Sequence, residues 1–172
     1  EALTVTGTPS LTLNDGGSAS YSSGSGTSAL VFSYTVAAGQ NTSDLAVSGI
    51  VGTITDAAGN ALSTSNLATV GNPSGVLVVD TTGPTIASLS MTGTGITAGA
   101  GTLNAGKVVT ITLTGSEALT VTGTPSLTLN DGGSATYASG SGTSALVFSY
   151  TVAAGQNTSD LAVSAIVGTI TD

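Results

Sequence analysis

Nine carboxylates carry nearly all the chemistry this sequence offers: Glu1, Asp15, Asp44, Asp56, Asp80, Glu117, Asp131, Asp160 and Asp172. Against them stands one basic residue, Lys107, and there is neither histidine nor cysteine. Such a set cannot assemble a Ser–His or Cys–His pair, a zinc triad or a disulfide. Paired carboxylates remain a formal catalytic device. All nine acids fall in turns or at strand ends, however, and no aromatic-lined cleft for a sugar accompanies them. The chain is therefore read as a non-enzyme.

A formal net charge of −8 argues against nucleic acid or an anionic membrane as partner, because both are held by Lys and Arg. It suits a hard cation such as calcium, which takes oxygen ligands. No apolar run approaches the roughly 20 residues of a membrane-spanning helix. The chain starts on Glu without a basic leader, and is read as a piece of something longer.

The elements that must position these acids are written twice. Residues 1–56 and 117–172 align at a spacing of 116 (117 − 1) and differ at three positions: Ser20 against Thr136, Ser22 against Ala138, and Gly49 against Ala165. Near-identity at a long period marks a tandem array. The local pattern is β throughout. "ALTVTGTPSLTLN", "SALVFSYTVAAG", "GKVVTITLTGS" and "SGVLVVDTT" alternate apolar with Thr/Ser positions. "NDGG" at Asn14–Gly17 and Asn130–Gly133 separates two such runs as a hairpin turn does. "SGSGTSAL" lacks the Lys and helix of a phosphate loop and reads as a hairpin loop. "NTS" at Asn41 and Asn157 matches a glycosylation pattern by coincidence.

Strands are expected at about 85–92, 107–115, 118–123, 126–130, 134–138, 145–153 and 161–171, with the last strand of a period seen at 76–80. Seven or eight short strands with regular turns point to an all-β fold of tandem immunoglobulin-like β-sandwich repeats, period 116. The core would be Val, Leu and Ile, with Phe32/Tyr34 and Phe148/Tyr150 as aromatic filling.

"TITDAAGNA" (53–61), followed by "VVDTTGPTI" (78–86), resembles the bacterial Ig-like repeats of large secreted or cell-surface (RTX-type) adhesins, where "DxAGN" and "DTTxPT" recur once per domain. "SEALTVTGTPSLTLNDG" is similar to the middle of the same repeat, with its SEAV/SEPV box. The insert "LSTSNLATVGNPSG" (62–75) departs from the pattern. On this resemblance residues 1–80 are the back part of one repeat lacking its first two strands. Residues 81–84 are a linker kept extended by Pro84, and 85–172 are the front part of the next repeat, lacking its last strand. The alternative is that "DTTGP" is an ordinary turn inside one permuted domain.

The resemblance also implies calcium-stiffened junctions, with Asp80, Glu117 and Asp172 as the matching ligands. Glu1, Asp56 and Asn60 would be their counterparts in the first copy, with an upstream acid. The competing reading makes these acids turn formers: Asp in "DAAGN" caps its own turn, and Asp in "DTT" suits a linker start. Asp15 and Asp131 are read as turn residues, and Asp44 and Asp160 as residues leading into a strand.

The implied function is mechanical: a non-catalytic extracellular extender of a giant bacterial adhesin. Its partners would be neighbouring repeats of the same protein, with no nucleic acid and no membrane insertion. Each domain would add roughly 35–45 Å. The rival is a self-assembling filament or biofilm-matrix fibre, in which other copies of the chain supply missing strands. A carbohydrate- or protein-binding module is disfavoured by the scarcity of aromatics and Arg.

Overall fold

The period-two segments do become strands. In the computed structural model, which describes residues Glu1–Asp172, nine β-strands account for almost all regular structure. The chain divides into two compact units, Glu1–Thr82 and Gly83–Asp172. Each contains one antiparallel sheet.

The first unit holds β1 (Leu3–Leu13), β2 (Ser18–Ser23), β3 (Val31–Ser33) and β4 (Val47–Asp56), in the order β3-β2-β1-β4. A single helical turn, α1 (Leu67–Val70), lies in the long insert. The second unit holds β5 (Ile86–Gly93), β6 (Val108–Leu129), β7 (Ser134–Ser139), β8 (Thr143–Thr151) and β9 (Val163–Thr171).

β6 runs through three of the expected strands, 107–115, 118–123 and 126–130, without a break. Its register shifts between Thr114 and Leu119 and again between Thr122 and Ser126. What the sequence marks as strand ends are therefore irregularities inside one strand, which bend it while keeping it in the ladder. The first half of β6 pairs with β5 and β8, and the second half with β7 and β9. Read across, the sheet runs β5, first half of β6, β8, β7, second half of β6, β9. One strand occupying two places forces the sheet to roll on itself. The roll encloses a core in which Val109, Ile111, Leu127, Leu146 and Phe148 have 0% exposure.

The second shift in β6 contains Gly123-Thr124-Pro125, and the matching shift in β1 contains Gly7-Thr8-Pro9. Both prolines are fully buried. Opposite Pro125 runs Gly168 at φ +110, where a Cβ would sit 2.9 Å from the proline Cα, so only glycine lets the two chains approach.

The ladders of β1, β2 and β4 repeat those of β6, β7 and β9. Ser10 faces Ser20 as Ser126 faces Thr136, and Thr6 faces Thr53 as Thr122 faces Thr169. Packing nevertheless differs between the copies. Leu30 and Phe32 are half-buried, whereas their counterparts Leu146 and Phe148 are fully covered. β3 has 3 residues where β8 has 9. The cause is a missing neighbour: β8 lies against the first half of β6, and the first unit has no counterpart of β5 or of that half-strand.

The strand expected at 76–80 does not form. Val79 makes an isolated bridge with Thr42, and Leu77 accepts from the Leu45 amide at 2.7 Å. Its only neighbour, residues 42–45, is itself irregular, so no ladder propagates.

Candidate metal centre

Antiparallel pairing of β6 with β9 sets Thr120 opposite Thr171, which brings the residues just outside that pair to the same end of the second unit. There Glu117, half-buried, and Asp172, exposed, offer carboxylate oxygens within 4.8 Å of each other. Two like charges so close repel, and a divalent cation accepting both would relieve that repulsion. Beside them the chain is anchored: the Thr85 amide donates to Ser116 Oγ at 3.0 Å, and the Ser116 amide donates to the Thr85 carbonyl at 2.8 Å. Ser116 immediately precedes Glu117.

Asp80, the third expected ligand, belongs to the first unit. It is exposed, and its Oδ1 accepts the Thr82 amide at 2.9 Å, a local turn of the kind its position in "DTT" suggests. Thr81 is tied to the same unit, its amide donating to Asn41 Oδ1 at 2.7 Å.

In the first copy Glu1, Asp56 and Asn60 line one open depression of about 450 Å³, together with Ser63, Ser65 and Asn66. Asp56 is engaged within its own turn. Its Oδ1 accepts the Asn60 amide at 2.8 Å and its Oδ2 accepts Asn60 Nδ2 at 2.8 Å. These bonds, the Asn60 side chain first, hold the Asp56 carboxyl below the usual aspartate range. A cation here would compete with a turn that already satisfies the carboxylate.

Comparison with known protein families, with curated proteins and with solved structures returned no match. The chemistry of the site accordingly rests on its own residues.

Two of the remaining acids do structural work that residue type and spacing alone did not disclose. Asp15 and Asp131 do cap their turns, accepting the Gly17 and Gly133 amides at 2.8 and 2.9 Å. Each also reaches a tyrosine hydroxyl. Tyr150 Oη donates to Asp131 Oδ2 at 2.5 Å and lies 2.6 Å from Gln156 Oε1; Tyr34, Asp15 and Gln40 repeat the arrangement. Burial, then the aspartate, pushes both tyrosines up to about 12. The turn asparagines were missed as well. Asn130 donates through Nδ2 to the Asp160 carbonyl at 2.8 Å and accepts the Ala162 amide at 3.0 Å, pinning the approach to β9. Asn14 does the same for Asp44 and Ala46. A doubled sequence gives no signal for such pairs, because every spacing recurs whether or not it is used.

Proposed function

We propose that the chain is part of a repetitive, non-catalytic extender of a bacterial surface or secreted adhesin, built from immunoglobulin-like β-sandwich repeats. The supporting observation is the doubling itself. Two near-identical 56-residue stretches (172 − 117 + 1) adopt the same β ladders, as expected of a part whose value lies in number and stiffness rather than in a distinct surface. The resemblance of "DAAGN", "DTTGPT" and "SEALTVTG" to adhesin repeats supplies the biological setting.

In this reading calcium stiffens the junction, held by Glu117 and Asp172 with Asp80 from the preceding segment. Support comes from the paired carboxylates and from chain connectivity. Asp80 is five residues (85 − 80) upstream of Thr85, which is bonded beside Glu117. A span of that length reaches at most about 17 Å. Addition of calcium is expected to raise the melting temperature, corresponding to roughly 2.7 kcal/mol at a hundredfold excess over Kd. Chelator is expected to reverse the rise, and Glu117→Gln with Asp172→Asn to abolish it. A melting curve indifferent to calcium and chelator removes the metal from the reading.

One observation favours the filament as a second reading. Leu11, Leu30 and Phe32 stay half-buried in the first unit while Leu127, Leu146 and Phe148 are fully covered in the second. Strands from neighbouring chains would cover them. Sedimentation that shows growth with concentration supports the filament, and a monomer at all concentrations supports the extender.

A further inference from the structure

Only two aspartates precede a glycine, Asp15 and Asp131, and no asparagine does. Residue type alone dictates a side reaction at such a pair. The glycine nitrogen, unhindered by a Cβ, can bond to the aspartate Cγ. One carboxyl oxygen then leaves as water, taking the amide proton and a proton from solvent, and a cyclic imide remains. Water adding at the aspartate's backbone carbonyl carbon reopens the imide so that the chain runs through Cγ. The product is isoaspartate, unchanged in mass, longer by one backbone atom and formed without oxidant or reductant.

The fold demands this pair all the same. Gly132 has φ +84 and Gly16 has φ +83, a conformation that residues with a Cβ avoid. A Cβ on Gly133 would sit 2.6 Å from Tyr150 Cε2, as one on Gly17 would from Tyr34 Cε2. The glycine that makes the reaction easy is therefore the glycine the turn requires, and restraint has to come from geometry. Ring closure needs the carboxyl group to rotate onto the glycine nitrogen and the Asp–Gly peptide to turn towards it. The Gly132 amide is committed to the Leu129 carbonyl at 3.2 Å. Asp131 Oδ1 accepts the Gly133 amide at 2.9 Å, and Oδ2 accepts Tyr150 Oη at 2.5 Å. Around Asp15 the same three bonds measure 3.2, 2.8 and 2.5 Å. Two of the three are made within the turn and open with it. The third ties the carboxylate to a ring 19 residues away, so the carboxyl group rotates only when that bond breaks.

We propose that Asp15 and Asp131 are sites of isoaspartate formation, and that the Tyr34 and Tyr150 hydroxyls are the positioning groups that hold the reaction back. Isomerisation at Asp131 discards the Gly133 and Tyr150 bonds together and lengthens the turn between β6 and β7. The adjacent Asn130 holds the Asp160 carbonyl at 2.8 Å and the Ala162 amide at 3.0 Å, so the change reaches the approach to β9. Each copy of the turn thus carries a slow chemical change that its tyrosine restrains. The inference stands on the two turns and is independent of the calcium and extender readings.

The test ages the full chain in neutral buffer beside a free peptide of residues 127–136. Isoaspartate is followed at each turn by mass-spectrometric mapping of proteolytic fragments, which Ser20 against Thr136 tells apart. The peptide is expected to isomerise at least about tenfold faster than either turn of the folded chain. Tyr150→Phe is expected to speed Asp131 roughly tenfold, the worth of one hydrogen bond to a charged group, and to leave Asp15 unchanged. Tyr34→Phe is expected to do the reverse, so each variant carries its own control. Ile111→Val trims the same core as Tyr150 without touching the turn, and is expected to leave both rates alone. Parent turns that isomerise as fast as the peptide overturn the inference, as do unchanged rates in both tyrosine variants. Ile111→Val matching Tyr150→Phe at Asp131 overturns it too, because loosening of the core is then the cause. Isoaspartate arising at other aspartates in preference to these two overturns the choice of site.

Discussion

A tyrosine hydroxyl shared between a carboxylate and an amide oxygen is the most consequential single group in each unit. Tyr150 is 2% exposed, and its ring fills the core while its hydroxyl ties the turn at Asp131 to the loop at Gln156. Tyr150→Phe keeps the ring and leaves Asp131 short of one donor, which is expected to cost about 1–3 kcal/mol in denaturant unfolding. The raised tyrosine pKa also sets a pH window. The folded state holds this proton more tightly than the unfolded chain, whose tyrosines titrate near about 10. Its contribution is therefore complete below pH ~10 and lost as pH rises towards about 12. Unfolding midpoints across that range should fall in the parent and fall less in Tyr150→Phe. Tyrosine as core filling and aspartate as turn former were both readable from residue type. That they touch was not, because the contact depends on how the sheet rolls.

Strands were readable where alternation is clean, and their ends were not. "GSEALTVTGTP" contains Gly, Ser and Pro, which punctuate a sequence, so β6 reads as three strands. In the folded chain its ladder continues past both shifts because β8 and β9 supply partners beyond them. The reverse happens at 76–80, where "VLVVD" has full β propensity but only an irregular neighbour and no ladder results. Partner availability likewise separates β3 from β8, which share their sequence. A paired substitution measures that difference. Phe148→Ala removes a fully buried ring that stacks edge-on with Tyr137 at 5.7 Å, and is expected to cost about 3–5 kcal/mol. Phe32→Ala removes a half-buried ring with the same Tyr21 partner geometry, at 5.8 Å, and is expected to cost distinctly less by the same unfolding measurement. Equal costs would mean that the lone strands of the first unit are covered in solution. Of the candidate metal centre, the sequence places Glu117 at a strand end, whereas it lies inside β6, between the pairs Thr114 and Leu119 make with β8. The engagement of Asp56 by Asn60 was open beforehand, because a turn and a ligand set call for the same residue types.

Across the whole molecule, two units carry interchangeable edges. Seven of the pairs that join β1 to β4 recur, position for position, between the second half of β6 and β9. During refolding β9 can therefore close on β1, and β4 on β6, with every ladder bond made and the wrong stretch of chain enclosed. Misassembly of this kind is a characteristic hazard of repeats. Only the core discriminates: β9 on β1 forgoes the roll around Phe148 and Leu146. Refolding from denaturant is thus expected to show a slow second phase as crossed pairings reopen. Removing one partner by ending the chain at residue 116 should abolish that phase, whereas its persistence would place its origin elsewhere. A repeat kept nearly letter for letter gains uniformity of parts and accepts, as the counterpart, a chain that can mistake one of its strands for another.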